Sequence, residues 1–298
     1  MNRSRRHAFG NVSKTVVLLA GIGGLFVMVG RFVGGPGGAA VGLVLGLVIV
    51  GVSYWFSDRI AIKAAGARPL AEADAPQFHA MVAELAGRAG LPVPRLYLSP
   101  SPQPNAFATG RSPSRAAVAV TQGLLDVCTP DEVRGVVAHE LAHIRNRDIL
   151  IGSVAAAIAT GIGFIANMAM FSGLLGSDDE DDRNPFAMLL VALVAPIAAT
   201  ILQLALSRSR EYEADRAGAA ILGDPEPLAR ALLKLEVVAG RTPMHLQPAQ
   251  ASAYIVNPLT GRQRNFSQLF LTHPPIEERV ARLRAGSFRE PEPARAGA

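Results

Sequence analysis

The stretch His139-Glu140-Leu141-Ala142-His143 sets two imidazoles four residues apart with a carboxylate beside the first. On an α-helix that spacing leaves the two rings about 40° apart around the axis, so both project from one face. Two neutral imidazoles on one face can seat a zinc ion, which lowers the pKa of a water and polarises a carbonyl. Glu140 is then placed to take a proton from that water without ligating the metal. The helix has a clear start in Thr129-Pro130-Asp131-Glu132: Thr129 fits an N-cap, Pro130 the first turn and Glu132 the far side of a capping box. The competing reading is a surface helix with two solvated histidines. Val136, Val137, Ala138, Leu141, Ala142 and Ile144 around them argue against it, because unpaired imidazoles are costly to bury.

A catalytic zinc site takes three protein ligands and leaves a fourth position for water. A third histidine six residues after His143 is ruled out, since position 149 is Ile149, and position 146, where a glycine would accompany it, is Asn146. The alternative is a carboxylate from a second helix. The stretch Ser207-Arg-Ser-Arg-Glu-Tyr-Glu-Ala-Asp215 offers Glu211 and Asp215, four apart and on one helical face. Glu211 is the expected third ligand, and Asp215 the expected acceptor for a ligating imidazole, His139, fixing its tautomer. Glu213 is turned about 200° from Glu211 and is the weaker candidate. An acidic pair on a solvated helix is the bland alternative, and the coincidence with the histidine pair weighs against it.

The surrounding elements are apolar. Half of the 298 residues are hydrophobic and 18% are charged, against about a quarter charged in ordinary soluble domains. The net charge of +5 is spread along the chain and no aromatic-rich basic motif accompanies it, so nucleic acid is not an expected partner. Four segments lack charge over long runs: 15–30 (reaching past Arg31 to Val33), 32–57, 149–177 and 184–207. About 20 residues cross a bilayer core, so the last three qualify and the first is short. A signal peptide is the alternative for residues 1–33; another apolar run rather than a polar start follows it, which favours a retained anchor. Gly34-Gly-Pro-Gly-Gly38 breaks the first pair into a tight hairpin. Ser177-Asp-Asp-Glu-Asp-Asp-Arg-Asn184 joins the second pair, for which a buried hairpin inside a globular domain is the alternative.

Basic residues flank the outer ends of these pairs: Arg3, Arg5, Arg6 and Lys14; Arg59 and Lys63; Arg145 and Arg147; Arg208 and Arg210. The positive-inside rule therefore places both termini and the polar segments in the cytoplasm. The expected organisation is a transmembrane hairpin at 1–57, a first catalytic half at 58–148, a second hairpin at 149–207, a second catalytic half at 208–286 and a flexible tail at 287–298. The fold class is α/β, mostly α, with four spans as two hairpins and a small sheet. Cys128 is the sole cysteine, which excludes an intrachain disulfide; a small buried hydrophobe is the expected role. The glycines at 21–24 and 34–38 lie in apolar runs and read as packing and turn residues, so no nucleotide is expected.

In combination, Ala138-His-Glu-Leu-Ala-His-Ile-Arg-Asn-Arg-Asp148, Ser207-Arg-Ser-Arg-Glu-Tyr-Glu-Ala-Asp215 and Thr272-His-Pro-Pro-Ile-Glu-Glu-Arg279 resemble the HtpX-type bacterial membrane zinc endopeptidases, relatives of the CAAX-prenyl endopeptidases. The resemblance covers essentially the whole chain. It implies a gluzincin-like catalytic domain with one zinc ion per chain, in the bacterial cytoplasmic (inner) membrane. It also implies cytoplasmic-side cleavage of misfolded or damaged membrane proteins, with the lipid bilayer and polypeptide substrates as partners. His273 matches the family's late histidine, a donor to the oxyanion of the tetrahedral intermediate; a structural histidine before a Pro-led helix is the competing role. Asn105, Ala106, Phe107 and Ala108 resemble the strand on which an extended peptide is laid, with ordinary sheet core as the alternative. A processing protease of the prenyl-protein type would need a chamber of more helices than four spans supply. A membrane scaffold with a vestigial metal site is the reading from another class, and the intact His139, Glu140, His143 and Glu211 set counts against it.

Overall fold

The computed structural model describes residues 3–152, 208–241 and 274–286. The second expected hairpin beyond residue 152, His273 and the tail lie outside the described residues. Helix α1 (Arg3–Ala64) is helical along its length yet not straight. Gly35 takes a φ of +61°, open to glycine at little steric cost, and Pro36 follows it. Gly30 is pressed against the Gly38 backbone and Gly42 against that of Phe26. Residues 26 and 42 of a straight helix would be about 24 Å apart, so the chain doubles back at the expected turn. Its two arms then touch through a seam of glycines. The second arm, Gly35–Ala64, is long and apolar enough to cross a membrane, with only 17% of its most apolar window buried. The first arm contributes a shorter apolar stretch, Leu19–Met28. Val41, Val44, Leu47 and Val48 face outward, unlike the core helix of a soluble protein.

A small mixed sheet follows. Its strands are β1 (Arg68–Pro69), β2 (Arg95–Ser99), β3 (Ala106–Thr109) and β4 (Ala117–Thr121), in the order β1-β2-β4-β3. β2 runs parallel to β4, and β3 pairs antiparallel with β4 from the outer edge, Phe107 opposite Ala119. The helices are α2 (Pro76–Ala89), the short α3 (Gln122–Val127), α4 (Pro130–Asn146), α5 (Arg208–Leu222), α6 (Glu226–Arg241) and α7 (Ile276–Arg284).

α4 is the hub. Its capping box is formed: Glu132 N–H donates to Thr129 Oγ1 at 3.3 Å and Thr129 N–H to Glu132 Oε2 at 2.8 Å. Lys234 of α6 donates to the same Glu132 oxygen at 2.6 Å, so one carboxylate ends α4 and ties it to a neighbour. Val136, Val137, Leu141 and Ile144 are buried with Leu85 of α2, Leu232 and Leu235 of α6, and Leu283 of α7. Cys128 is buried too, its thiol pushed up to about 11 chiefly by that burial.

Two glycines set how closely helices approach α4. A Cβ on Gly135 would meet the α6 backbone at Leu228 N, 2.5 Å away. One on Gly218 of α5 would stand 2.9 Å from both Cα and N of His139. Backbone cannot step aside as a side-chain tip can. Gly218→Ala should therefore push α5 from α4 and destabilise the protein by about 1–3 kcal/mol, with weaker metal retention. Denaturant melts and metal analysis on the purified variant check this.

Candidate metal centre and active site

α4 presents His139 and His143 to α5, which presents Glu211 in return. The imidazoles face each other with Nε2 to Nε2 at 3.1 Å. Glu211 Oε2 is 3.8 Å from His139 Nε2, and Glu211 Oε1 is 3.7 Å from His143 Nε2. Each of the three residues offers a ligand atom, all within 4.8 Å of one another.

The groups behind the rings decide what this cluster can hold. His139 Nδ1 lies 3.0 Å from Asp215 Oδ1, and His143 Nδ1 lies 3.0 Å from Asp148 Oδ2. A carboxylate behind each ring places the ring proton on Nδ1. Both Nε2 atoms then present lone pairs to one another and to a carboxylate, at a site where His139 is almost wholly buried. That arrangement calls for a cation. Nitrogen ligands of a tetrahedral zinc ion stand about 3.3 Å apart, close to the spacing found. The residues present fit a metal ion.

Asp148 was not anticipated from sequence. It reaches back under His143 because Arg147 ends α4 in the left-handed conformation, φ 57°. That is an uncommon state for a residue with a Cβ. Burial disfavours a charged His143, but the carboxylates of Asp148, Glu211 and Glu140 outweigh it and raise the imidazole to about 10, so a metal ion would take its Nε2 position by displacing a proton. Asp148→Ala should weaken metal binding about 10–100-fold, and Asp148→Asn, which keeps an acceptor, should lose less. A chelator competition titration distinguishes the two.

Arg279 is the second residue missed. It is fully buried, donates to Asp215 through Nε at 2.8 Å and Nη2 at 2.7 Å, and places Nη1 3.7 Å from Glu211 Oε2. Burial alone would raise the Asp215 carboxyl, but Arg279 and His139 hold it down at about 2. Arg279 thus keeps ionised the group behind His139. Arg210, beside Glu211, has its pKa lowered by burial, with the charges of Asp148 and Glu211 opposing that shift. Glu213 is turned away and pairs with Arg216 at 2.6 Å.

Glu140 is buried on the α4 face toward β3, and its Oε2 accepts from the N–H of Ala108 at 2.7 Å. Burial raises its pKa, against the pull of the two imidazoles and of that N–H. β3 is an edge strand. Its Asn105 end is fixed: Asn105 N–H donates to Thr121 Oγ1 at 2.8 Å, and Thr121 N–H donates to Asn105 O at 2.9 Å. With residue 105 bonded toward β4, the strand alternation turns the backbone groups of Ala106 and Ala108 outward. Ala106 itself is buried, while Phe107 and Ala108 are partly exposed. The anticipated strand and the anticipated carboxylate therefore touch, through a backbone donor that no side-chain pattern would reveal.

The pattern of Peptidase family M48 matches residues 72–287. The chain is 50% identical over 282 residues to the "Protease HtpX homolog" of Syntrophobacter fumaroxidans, covering 93% of this chain and 99% of that one. It is 48% identical over 279 residues to the "Protease HtpX homolog" of Pelotomaculum thermopropionicum, covering 92% and 99%. Among solved structures it is similar to S. mikatae Ste24p, with a TM-score of 0.50 and 20% identity over 93% of this chain. This chain spans 66% of that one, and at such identity the likeness is one of fold. With a buried His139, a half-buried His143 and Glu211 converging as metal ligands do, and with relatives at these levels, the chain belongs to peptidase family M48, as a metalloprotease of the HtpX type.

Proposed function

We propose that this chain is a zinc endopeptidase anchored in the bacterial cytoplasmic membrane by four spans in two hairpins. Its two catalytic halves, 58–148 and 208–286, face the cytoplasm and cleave misfolded or damaged membrane proteins there. The observation that carries this reading is the convergence of His139, His143 and Glu211 beside a buried Glu140 that touches an edge strand. The outward-facing apolar residues of α1 support the anchor, and the tight turn at Gly35 supports the hairpin form of the first pair.

In this reading His139, His143 and Glu211 hold the zinc ion, with Asp215 and Asp148 orienting the two imidazoles. Bound there, zinc supplies a Lewis acid and a water of lowered pKa. Glu140 accepts a proton from the attacking water and delivers it to the leaving amine nitrogen. The raised pKa of its carboxyl suits a group that must both take and give that proton. An extended peptide pairs with the outward backbone groups of Ala106 and the outward carbonyl of Ala108, whose N–H stays with Glu140, which sets the peptide's own carbonyl beside Glu140. His273 donates to the oxyanion; it stands three residues before α7, whose Arg279 enters the site.

The purified, detergent-solubilised full chain tests the reading against casein and a denatured membrane protein. Cleavage should stop with a chelator and return with zinc at about one ion per chain. Cleavage indifferent to chelation would exclude metal chemistry. Reporter fusions within 177–184 should read periplasmic, and a cytoplasmic signal would contradict the topology.

A further inference from the structure

The basic loop after the edge strand has no part in the metal site. Gly110, at φ +133°, closes this loop so tightly that a Cβ there would lie 2.7 Å from Arg115 O. Residues 111–115 project from it toward the end of α1. The Arg111 guanidinium lies over the Trp55 ring at 4.4 Å and donates to Trp55 O at 3.3 Å. Arg95 donates at 2.6 Å to Asp58 and at 3.2 Å to Arg115 O, drawing the other end of the loop to the same helix turn. Arg59 lies over the Phe56 ring at 5.4 Å. Among the described residues, Asp58 is the one carboxylate paired with any of these cations, and its partner is Arg95. Arg59, Arg111 and Arg115 have no acid partner among the described residues.

The height of this group along the helix is fixed by length. Trp55 stands about 30 Å from Gly35 along α1, one hydrocarbon thickness from the turn. Trp55 is 56% exposed and Phe56 39%. Half-exposed aromatic rings at the end of an apolar span are what a membrane–water boundary selects. On the membrane reading proposed above, Arg59, Arg111 and Arg115 therefore lie at headgroup level.

We propose that Arg59, Arg111 and Arg115 form a site for the phosphate headgroups of anionic phospholipids, clasping the loop 110–115 to the bilayer surface. Arginine suits phosphate because its planar fork gives two parallel N–H···O contacts. The loop leaves β3 two residues after Ala108, whose N–H holds Glu140. A headgroup on Arg111 thus fixes the strand beside the catalytic carboxylate at a set height over the membrane. Zwitterionic lipid carries the same phosphate with a compensating cation, so the site prefers the anionic kind.

Trp55 is the sole tryptophan of the chain, which makes it a native reporter of this site. The full chain is reconstituted in vesicles of phosphatidylcholine and phosphatidylglycerol, with bromine on the acyl chains of one or the other, and Trp55 quenching is compared. The wild type should show a several-fold preference for phosphatidylglycerol beside Trp55, falling with each arginine removed. In R111Q/R115Q the preference should fall to near parity, with metal content and thermal melting unchanged. Quenching by neither lipid would place Trp55 outside the bilayer and sink the membrane reading itself. Equal quenching by both in the wild type, or a preference retained in R111Q/R115Q, would overturn the headgroup site while leaving the span intact. A shift of Trp55 emission by a soluble acidic peptide, with no lipid preference, would assign the surface to substrate side chains instead.

Discussion

Glu140→Gln will keep the metal and lose hydrolysis by about 10²–10⁴-fold, the range that a positioned general base supplies. Glutamine has the shape of glutamate, and its amide oxygen can still accept from Ala108 N–H, so β3 and α4 keep their contact. It cannot take a proton. Metal content and melting should therefore match the wild type, while cleavage of a denatured membrane protein or of casein collapses. The pH profile sharpens the test. The acidic limb set by the Glu140 carboxyl, whose pKa burial raises, should vanish from whatever activity remains. Cleavage within tenfold of wild type, at full metal occupancy, would remove Glu140 from the chemistry.

Arg279→Met will have the largest effect on stability. The Asp215–Arg279 pair is buried on both sides and doubly hydrogen-bonded. Removing one partner leaves a lone buried charge, a loss of about 3–5 kcal/mol. The double variant Arg279→Met/Asp215→Asn should recover part of that loss, because the stranded carboxylate is gone. It should still bind metal more weakly, since His139 has lost its charged partner. The sign with pH follows from the direction of the shift. Asp215 is held at about 2 in the folded chain against 3.8 for the free side chain, so its ionisation stabilises the fold fully above about pH 4. That contribution, about 2–3 kcal/mol, disappears as pH falls through 2. Without Arg279, burial raises the same carboxyl, and the variant should unfold at a higher pH than wild type. Denaturant melts across pH 2–7 follow both effects, and an unchanged acid transition would show that the pair does not govern it.

What the sequence reveals about this site divides by range. The α4 start was legible because Thr129, Pro130 and Glu132 act within one turn. The turn at 34–38 was legible because a glycine–proline cluster inside an apolar run has few other uses. Glu211 and Asp215 were legible as a pair because i, i+4 spacing fixes a shared face. Asp148 was hidden although it is only five residues from His143: its contact requires a left-handed Arg147, which no residue preference announces. Arg279 was hidden for the opposite reason, as its partner lies 64 residues back in the chain and only tertiary packing joins them. The contact of Ala108 with Glu140 uses a backbone donor, which every residue but proline carries and which therefore leaves no trace in composition. The sheet was foreseen only as a small one holding the strand at 105–108; its order and its β1–β2 edge depend on long-range pairing.

The Gly218–His139 contact has a mechanical meaning. Where α5 crosses α4 the two backbones already touch, so the ligand set is built against a hard stop. The helices cannot close further to grip a loosely held ion, whereas they can part whenever the packing around them slackens. Wear on this enzyme is therefore one-sided. Heat, acid or a distant core substitution should show first as an empty metal seat in a chain that is still folded.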